Sequence, residues 1–225
     1  MRGLAREDYL ADIYRLQAEH PEDPVSTGSV AVRRGVTAAS ATAMFKRLAR
    51  DELIVYRNYG GVSLTQAGEE LALGVVRRHR LVERFLADVL HIPWQQVDAY
   101  ADQMEHALPD DVVDRMEALL ENPYTCPHGY PIPDKHGHLT QPDLMLLRDV
   151  PPGLDVRVAR VNERVEGLLP YVAELGLMPG SLIRVTHRNN VDLNVTVETG
   201  GCEHILGLRV SQAIWVERAA SPAEV

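Results

Sequence analysis

Apolar and polar residues alternate in two different periods along the N-terminal third of the chain. Over residues 6–19 the apolar positions recur every three or four residues, which predicts an amphipathic helix. A short second helix precedes a turn at Gly35, and Thr37 is placed to cap a third helix that runs to Asp51. Two short apolar runs then flank the Gly60-Gly61 tip of a predicted β-hairpin. Helix, glycine turn, helix and hairpin in this order predict a winged helix-turn-helix.

The middle of the chain predicts three further helices. One is capped at Thr65 and runs to about Leu90, one begins after Pro93 and reaches Leu108, and one follows Pro109 and ends near Glu121. Their apolar residues are more numerous than one small bundle needs. Part of that apolar surface is therefore expected to form a symmetric dimer interface.

The C-terminal part changes to short strands. Residues 122–152 are rich in Pro, His and Gly and predict an extended connection, whereas alternating apolar runs from Gly153 onward predict a small SH3-like β-barrel with one short helix near 168–175. The chain from Ser221 onward is expected to be frayed. The predicted fold is mainly α with small β. Its expected parts are a winged helix-turn-helix domain (1–72), a helical metal-binding and dimerisation domain (73–140), a linker (141–152) and an SH3-like domain (153–225).

Charge is distributed unevenly over the 225 residues, whose formal net charge is −9. Residues 73–152 carry 7 Lys and Arg against 13 Asp and Glu, but the balance reverses between Arg33 and Arg57. A local basic stripe in an acidic protein favours an anionic partner at one surface, here duplex DNA. The alternative is a small α/β fold whose basic residues only solubilise it. The candidate DNA-contacting residues are small, hydroxylic or basic: Thr37, Ala39, Ser40, Thr42, Lys46, Arg47, Arg50 and Arg57.

Carboxylates and histidines are crowded in the middle segment. On one predicted helix His79 and Glu83 share a face at spacing i, i+4. On the next, a second face holds Asp98, Asp102, Glu105 and His106. Carboxylates so placed repel one another at neutral pH, and a divalent cation would convert that repulsion into binding energy. The alternative is a solvated acidic helix face with two surface histidines.

The two cysteines, Cys126 and Cys202, are far apart, which argues against a disulfide framework and fits a reducing compartment. Cys126, His128, His136 and His138 match no structural zinc spacing. The charged N-terminus resembles no secretory signal, and no apolar stretch approaches the roughly 20 residues that span a bilayer. The expected location is the cytoplasm, with no membrane partner.

These residues together resemble the diphtheria toxin repressor (DtxR) family of metal-dependent transcriptional regulators over essentially the whole chain. The resemblance rests on four motifs: Tyr9-Leu10 with Ile13-Tyr14-Arg15-Leu16, His79-Arg80-Leu81 with Glu83, Glu105-His106, and Gly129-Tyr130-Pro131-Ile132-Pro133. It implies the same order of three domains. It also implies a homodimer that a bound divalent cation switches to the form that binds a pseudo-palindromic operator.

The resemblance also implies two metal sites. The first would consist of Asp8, Asp102, Glu105 and His106, with Asp8 where iron-responsive members have Met and Asp102 where they have Cys. In this respect the chain is similar to the manganese-responsive (MntR) branch, because oxygen ligands without soft sulfur suit Mn(II), with Fe(II) or another divalent transition metal as the alternative. The second would combine residues from two domains: His79, Glu83 and Asp98 with Glu163 and Glu166 as candidates from the SH3-like domain. Ala43 replaces a polar residue of the recognition helix, so the operator sequence cannot be carried over.

Three functions are consistent with this set of residues. A metal-loaded dimeric repressor of metal-uptake genes uses both the winged helix and the ligands. A metal-dependent hydrolase would use the same carboxylates and histidines, but no nucleophile or spare general base lies near them in the predicted elements. A metal buffer is the third alternative.

Overall fold

The computed structural model describes residues 4–19, 23–57 and 60–219, which form two compact units. Within the described residues, unit 1 contains 4–80, 102–113 and 132–139, and unit 2 contains 81–101, 114–131 and 140–219. Residues 58 and 59 of the predicted hairpin loop and the predicted frayed tail from Ser221 lie outside the described residues. No helix of the described residues is long and apolar enough to cross a membrane.

The first part of unit 1 is a winged helix-turn-helix, as predicted. Ser26 caps α2 by accepting from the backbone N–H of Ser29, and Thr37 caps α3 by accepting from that of Ser40. Gly35 between them has a φ of 62°, which glycine adopts without a Cβ clash. The elements are α1 (Leu4–Glu19), α2 (Thr27–Arg34), α3 (Ala38–Arg50) and the antiparallel strands β1 (Ile54–Arg57) and β2 (Gly61–Leu64).

The core of this part is centred on Phe45 of α3, which is fully buried. Its ring packs edge-on against Tyr9 of α1 at 6.3 Å and against Tyr56 of β1 at 5.5 Å between centroids. Leu10 and Ile13 of α1 are also fully buried beside it. The third helix is therefore fixed to the helix that carries Asp8.

The middle of the chain forms α4 (Gln66–Asp88), α5 (Val97–Met104) and α6 (Asp110–Leu119). Helix α5 is shorter than predicted, and Glu105 and His106 lie in the turn after it rather than on its last turn. The N–H of Ala107 bonds to the carbonyl oxygen of Met104 at 2.9 Å, which is a tight turn instead of a continued helix. Pro109 disfavours helical backbone at Leu108, so the helix is not resumed before α6 begins at Asp110.

The C-terminal part of unit 2 is a six-stranded antiparallel sheet in the order β3-β8-β4-β5-β6-β7. Register shifts in β4 and β5 mark bulges, which increase the local twist. Strand β3 and a 3-10 helix (Leu147–Asp149) lie in the stretch predicted to be an extended connection. The elements are β3 (Met145–Leu146), β4 (Asp155–Val161), α7 (Leu168–Glu174), β5 (Leu182–Asn189), β6 (Asn194–Thr199), β7 (Cys202–Leu206), α8 (Leu208–Ser211) and β8 (Ile214–Arg218).

Candidate metal centre and DNA-binding surface

Asp8, Glu105 and His106 come together in unit 1. Nε2 of His106 lies 2.5 Å from Oδ1 of Asp8 and 3.1 Å from Oε1 of Glu105, and one ligand atom of each residue lies within 4.8 Å of the other two. Glu105 is buried, while Asp8 and His106 are partly exposed. Two carboxylates and an imidazole at this spacing are a donor set that fits a divalent transition metal.

Glu105 also faces a second histidine. Its Oε2 lies 2.8 Å from Nδ1 of His79, and Oδ1 of Asp102 lies 3.5 Å from the same nitrogen. His79, Asp102 and Glu105 form another group with ligand atoms within 4.8 Å of one another. Asp102 is therefore adjacent to the first group through the shared Glu105, and its side chain is about half exposed.

Two residues predicted for the second site, Glu83 and Asp98, come together in unit 2, where one ligand atom of each lies within 4.8 Å of the other. Within unit 2, Arg164 contacts both Oδ1 of Asp98 at 3.3 Å and Oε1 of Glu163 at 3.8 Å. The other oxygen of Glu163 is buried and makes no hydrogen bond within the described residues. Glu166 is exposed and belongs to none of the metal-ligand groups that the described residues form.

Glu83 also lies in a buried group with Cys126 and His128, which the sequence pattern does not predict. Nδ1 of His128 is 3.0 Å from Oε1 of Glu83, and its Nε2–H donates to the carbonyl oxygen of Trp94 at 2.8 Å. Burial lowers the pKa of His128, but its hydrogen bonds to Cys126 and Glu83 outweigh burial and raise the pKa to about 11. One ligand atom of each of the three residues lies within 4.8 Å of the others.

The sequence did contain a signal for this group. Cys126 and His128 are two positions apart, but the nearest other histidines in the sequence, His136 and His138, belong to no metal-ligand group with them among the described residues. Those two histidines are exposed, and the Asp134 side chain accepts from both of their backbone N–H groups. The missing ligand, Glu83, is far away in sequence on α4, so local spacing does not reveal it.

The outer face of α3 carries the candidate DNA-contacting residues. Ala41, Phe45 and Leu48 face the core, whereas Lys46 and Arg50 are exposed and Arg47 is partly exposed. Within the described residues Lys46, Arg47, Arg50 and Arg57 make no ion pair, so their charges are available to an anionic partner. At the start of the helix the hydroxyls of Thr37 and Ser40 lie 2.9 Å apart at the cap, and Thr42 donates to the carbonyl oxygen of Ala38. Ala39 is exposed beside them.

Three family models cover most of the chain. They are described as "Iron dependent repressor, N-terminal DNA binding domain" over residues 4–62, "Iron dependent repressor, metal binding and dimerisation domain" over 65–134, and "FeoA domain" over 145–218.

Individual relatives match over nearly the full length. The iron-dependent repressor IdeR of Mycobacterium bovis (strain ATCC BAA-935 / AF2122/97) is 32% identical, with 94% of this chain and 96% of that protein covered. A solved structure described as a manganese-dependent transcriptional repressor in complex with manganese has a TM-score of 0.89 at 35% identity, covering 95% of this chain and 100% of that one. The manganese regulator SloR has a TM-score of 0.80 at 29% identity, covering 95% and 98%.

A winged helix joined to a metal-binding, dimerising helical segment and an SH3-like sheet defines a metal-dependent DNA-binding regulator. The chain belongs to the iron-dependent repressor family, the family of DtxR and IdeR. The resemblance found in the sequence and the predicted fold class are thereby confirmed. The family consists of DNA-binding, dimerising repressors and not of enzymes, so the hydrolase alternative is wrong.

Proposed function

We propose that this protein is a Mn(II)-dependent repressor of metal-uptake genes, with Fe(II) or another divalent transition metal as the alternative ion. It would act in the cytoplasm as a homodimer on a pseudo-palindromic duplex operator. The donor set supports the choice of ion, because Asp8, Glu105 and His106 offer oxygen and nitrogen but no sulfur. The similarity to two proteins described as manganese regulators points the same way.

The observation that carries the proposal is the contact of Asp8 with His106. Asp8 belongs to α1 of the winged helix, which packs on the recognition helix through Tyr9 and Phe45, whereas Glu105 and His106 follow the dimerisation helix α5. Asp8, Glu105 and His106, with Asp102 adjacent, would hold the first ion. A bound divalent cation supplies the positive charge that keeps these carboxylates together at one point.

The ligands thereby tie the winged helix to the dimerisation segment. In a dimer, two recognition helices held in this way would keep one separation, near the roughly 34 Å between successive major grooves on one side of the duplex. Conversion of a 1:99 population into a 99:1 population needs only about 5.5 kcal/mol of differential binding. A single well-formed ion site supplies free energy on this scale.

A second ion site is proposed in unit 2. Glu83 would be one ligand and Asp98, whose ligand atom lies within 4.8 Å of that of Glu83, a second, while His128 contacts the Glu83 carboxylate and orients it. The buried oxygen of Glu163 supports its candidacy as a further ligand. Asp98 also contacts Arg164, and His79 and Glu166 stay candidates from the sequence, although Glu166 is exposed.

For DNA contact, α3 would enter the major groove. Its exposed cations Lys46 and Arg50, with the partly exposed Arg47, would neutralise phosphates. Thr37, Ser40 and Thr42 would divide between phosphate and base edges, Ala39 would allow close approach, and Arg57 of the wing strand would contact the backbone.

The experiment that tests the proposal is duplex selection followed by a binding titration. DNA is selected from a random pool by full-length protein in the presence of Mn(II), and the selected duplex is titrated by fluorescence anisotropy with Mn(II) and after chelation. We expect tight binding with Mn(II) and weak binding after chelation. Equal affinity in both conditions, or selection of no duplex, would contradict the proposal.

A further inference from the structure

Arg34 joins a candidate metal ligand to the turn of the helix-turn-helix. It is the last residue of α2, and Gly35 follows it in the left-handed conformation. Nη2 of Arg34 donates to Oδ2 of Asp8 at 2.7 Å, while the other oxygen of Asp8 faces His106. The two carboxylate oxygens of Asp8 thus have different partners, and Arg34 does not occupy the one that faces the metal centre.

The contact is particular to Arg34 and is not a general property of this basic segment. The adjacent Arg33 directs its Nε to Oδ1 of Asp12 at 2.8 Å, and Asp12 belongs to none of the metal-ligand groups of the described residues. Arg34 reaches Asp12 only at 3.5 Å, so its closer partner is Asp8. Its guanidinium also lies 5.7 Å from the centroid of the Tyr9 ring, which limits its own movement.

This geometry gives Arg34 a physical role. An aspartate on a helix loses side-chain freedom when it binds an ion, and a planar guanidinium that already holds one oxygen removes part of that cost. We propose that Arg34 is a positioning residue of the metal centre. It fixes Asp8 so that Oδ1 faces Glu105 and His106, and it links that ligand to the start of α3 through the Gly35 turn. The inference rests on the proposed function, because Asp8 must be a ligand.

Arg34 also has an effect that opposes metal binding, because its positively charged guanidinium lies near the site and repels a cation. The Arg34 side chain is 31% exposed, so solvent screens its charge, whereas its 2.7 Å hydrogen bond to Asp8 does not depend on long-range field. Orientation is therefore expected to dominate. Loss of Arg34 would weaken metal binding, and the sign of the change distinguishes the two effects.

The test is a Mn(II) titration of metal-free full-length protein without DNA, followed by the electron paramagnetic resonance signal of free Mn(II). Arg34→Leu is expected to weaken the site that contains Asp8 by about tenfold, at the lower end of what outer partners of metal ligands contribute. Arg33→Leu makes the same change of charge one residue away and is expected to leave this site unchanged. In an Asp8→Asn background, Arg34→Leu is expected to cause no further loss.

Unchanged or tighter Mn(II) binding by Arg34→Leu would overturn the inference, as would an equal loss in the Asp8→Asn background. The proposed function fails separately, if wild-type protein binds no Mn(II) or if Asp8→Asn binds it as tightly as wild type. Circular dichroism checks that each variant folds. If Arg34→Leu does not fold, Arg34→Lys takes its place, because it keeps the charge but loses the planar fork. It is then expected to give a smaller loss that also vanishes in the Asp8→Asn background.

Discussion

Glu105 and Glu83 are two buried carboxylates, and replacing each by glutamine makes the same chemical change in two different candidate metal sites. Each has an oxygen within about 3 Å of a histidine nitrogen, Glu105 beside His79 and His106, and Glu83 beside His128. Glu105→Gln keeps the shape of the side chain and removes one of the two negative charges in the Asp8 group. Glu83→Gln makes the same change in the other group.

The expected size follows from the charges. A divalent cation and a carboxylate 4 Å apart interact by about 8 kcal/mol at an effective dielectric constant near 20, and an amide oxygen retains part of that attraction. We therefore expect Glu105→Gln to weaken the first site by about 2–4 kcal/mol, which is about 30- to 700-fold in dissociation constant.

The assay is isothermal titration of metal-free protein with Mn(II) in the absence of DNA. Glu105→Gln is expected to lose the first binding event and to keep the second, whereas Glu83→Gln is expected to do the reverse. Wild-type affinity and stoichiometry in Glu105→Gln would refute the assignment of Glu105 as a ligand. Identical losses in both variants would refute the separation into two sites.

Three further outcomes are expected. Asp8→Met should shift metal preference from Mn(II) toward Fe(II) or Co(II), because it adds a softer ligand; unchanged preference in metal-dependent DNA-binding titrations would argue against Asp8 as a ligand. Arg50→Ala or Arg47→Ala should weaken selected and random DNA alike and reduce the salt slope of binding by about one unit. Arg184→Ala, at an exposed position of the C-terminal sheet, is the control and is expected to leave DNA binding unchanged. If Arg47→Ala or Arg50→Ala weakened binding to the selected sequence alone, that arginine would read bases. Phe45→Ala should destabilise the winged helix by about 3–5 kcal/mol, as measured by urea unfolding, whereas Val32→Ala at an exposed position should have little effect.

The sequence predicts most helices and strands of this chain correctly, because helix caps and hydrophobic periodicity depend on residues close together in sequence. Thr37 and Gly35 bound the turn between α2 and α3 as expected, and the alternating valines of the C-terminal part form the predicted strands. The errors arose at the end of one helix and at one long-range strand pairing. Helix α5 ends at Met104, ahead of Pro109, and the two-residue strand β3 exists only because β8 pairs with it.

The candidate site was predictable only in part. The adjacency of Glu105 and His106 is visible in the sequence, but their contact with Asp8 spans almost a hundred residues, and only the family resemblance connected them. The contact of Glu83 with His128 was missed for the same physical reason, since it depends on how α4 packs against a distant loop. No sequence pattern predicts the role of Arg34. That role depends on its guanidinium lying closer to Asp8 than to Asp12.

DNA affinity and oligomeric state, measured on the same samples, test whether the metal switches a dimer that is already formed. Wild-type protein and Asp8→Asn are titrated against the selected duplex with Mn(II) and after chelation, and sedimentation velocity gives the mass of each without DNA. We predict tight binding only for wild type with Mn(II), and a dimer in all four samples. Chelated wild type that binds the duplex as tightly as the Mn(II) form would contradict the metal switch. Dissociation to monomers on chelation would contradict the account in which Asp8 ties the winged helix to a dimer that is already formed.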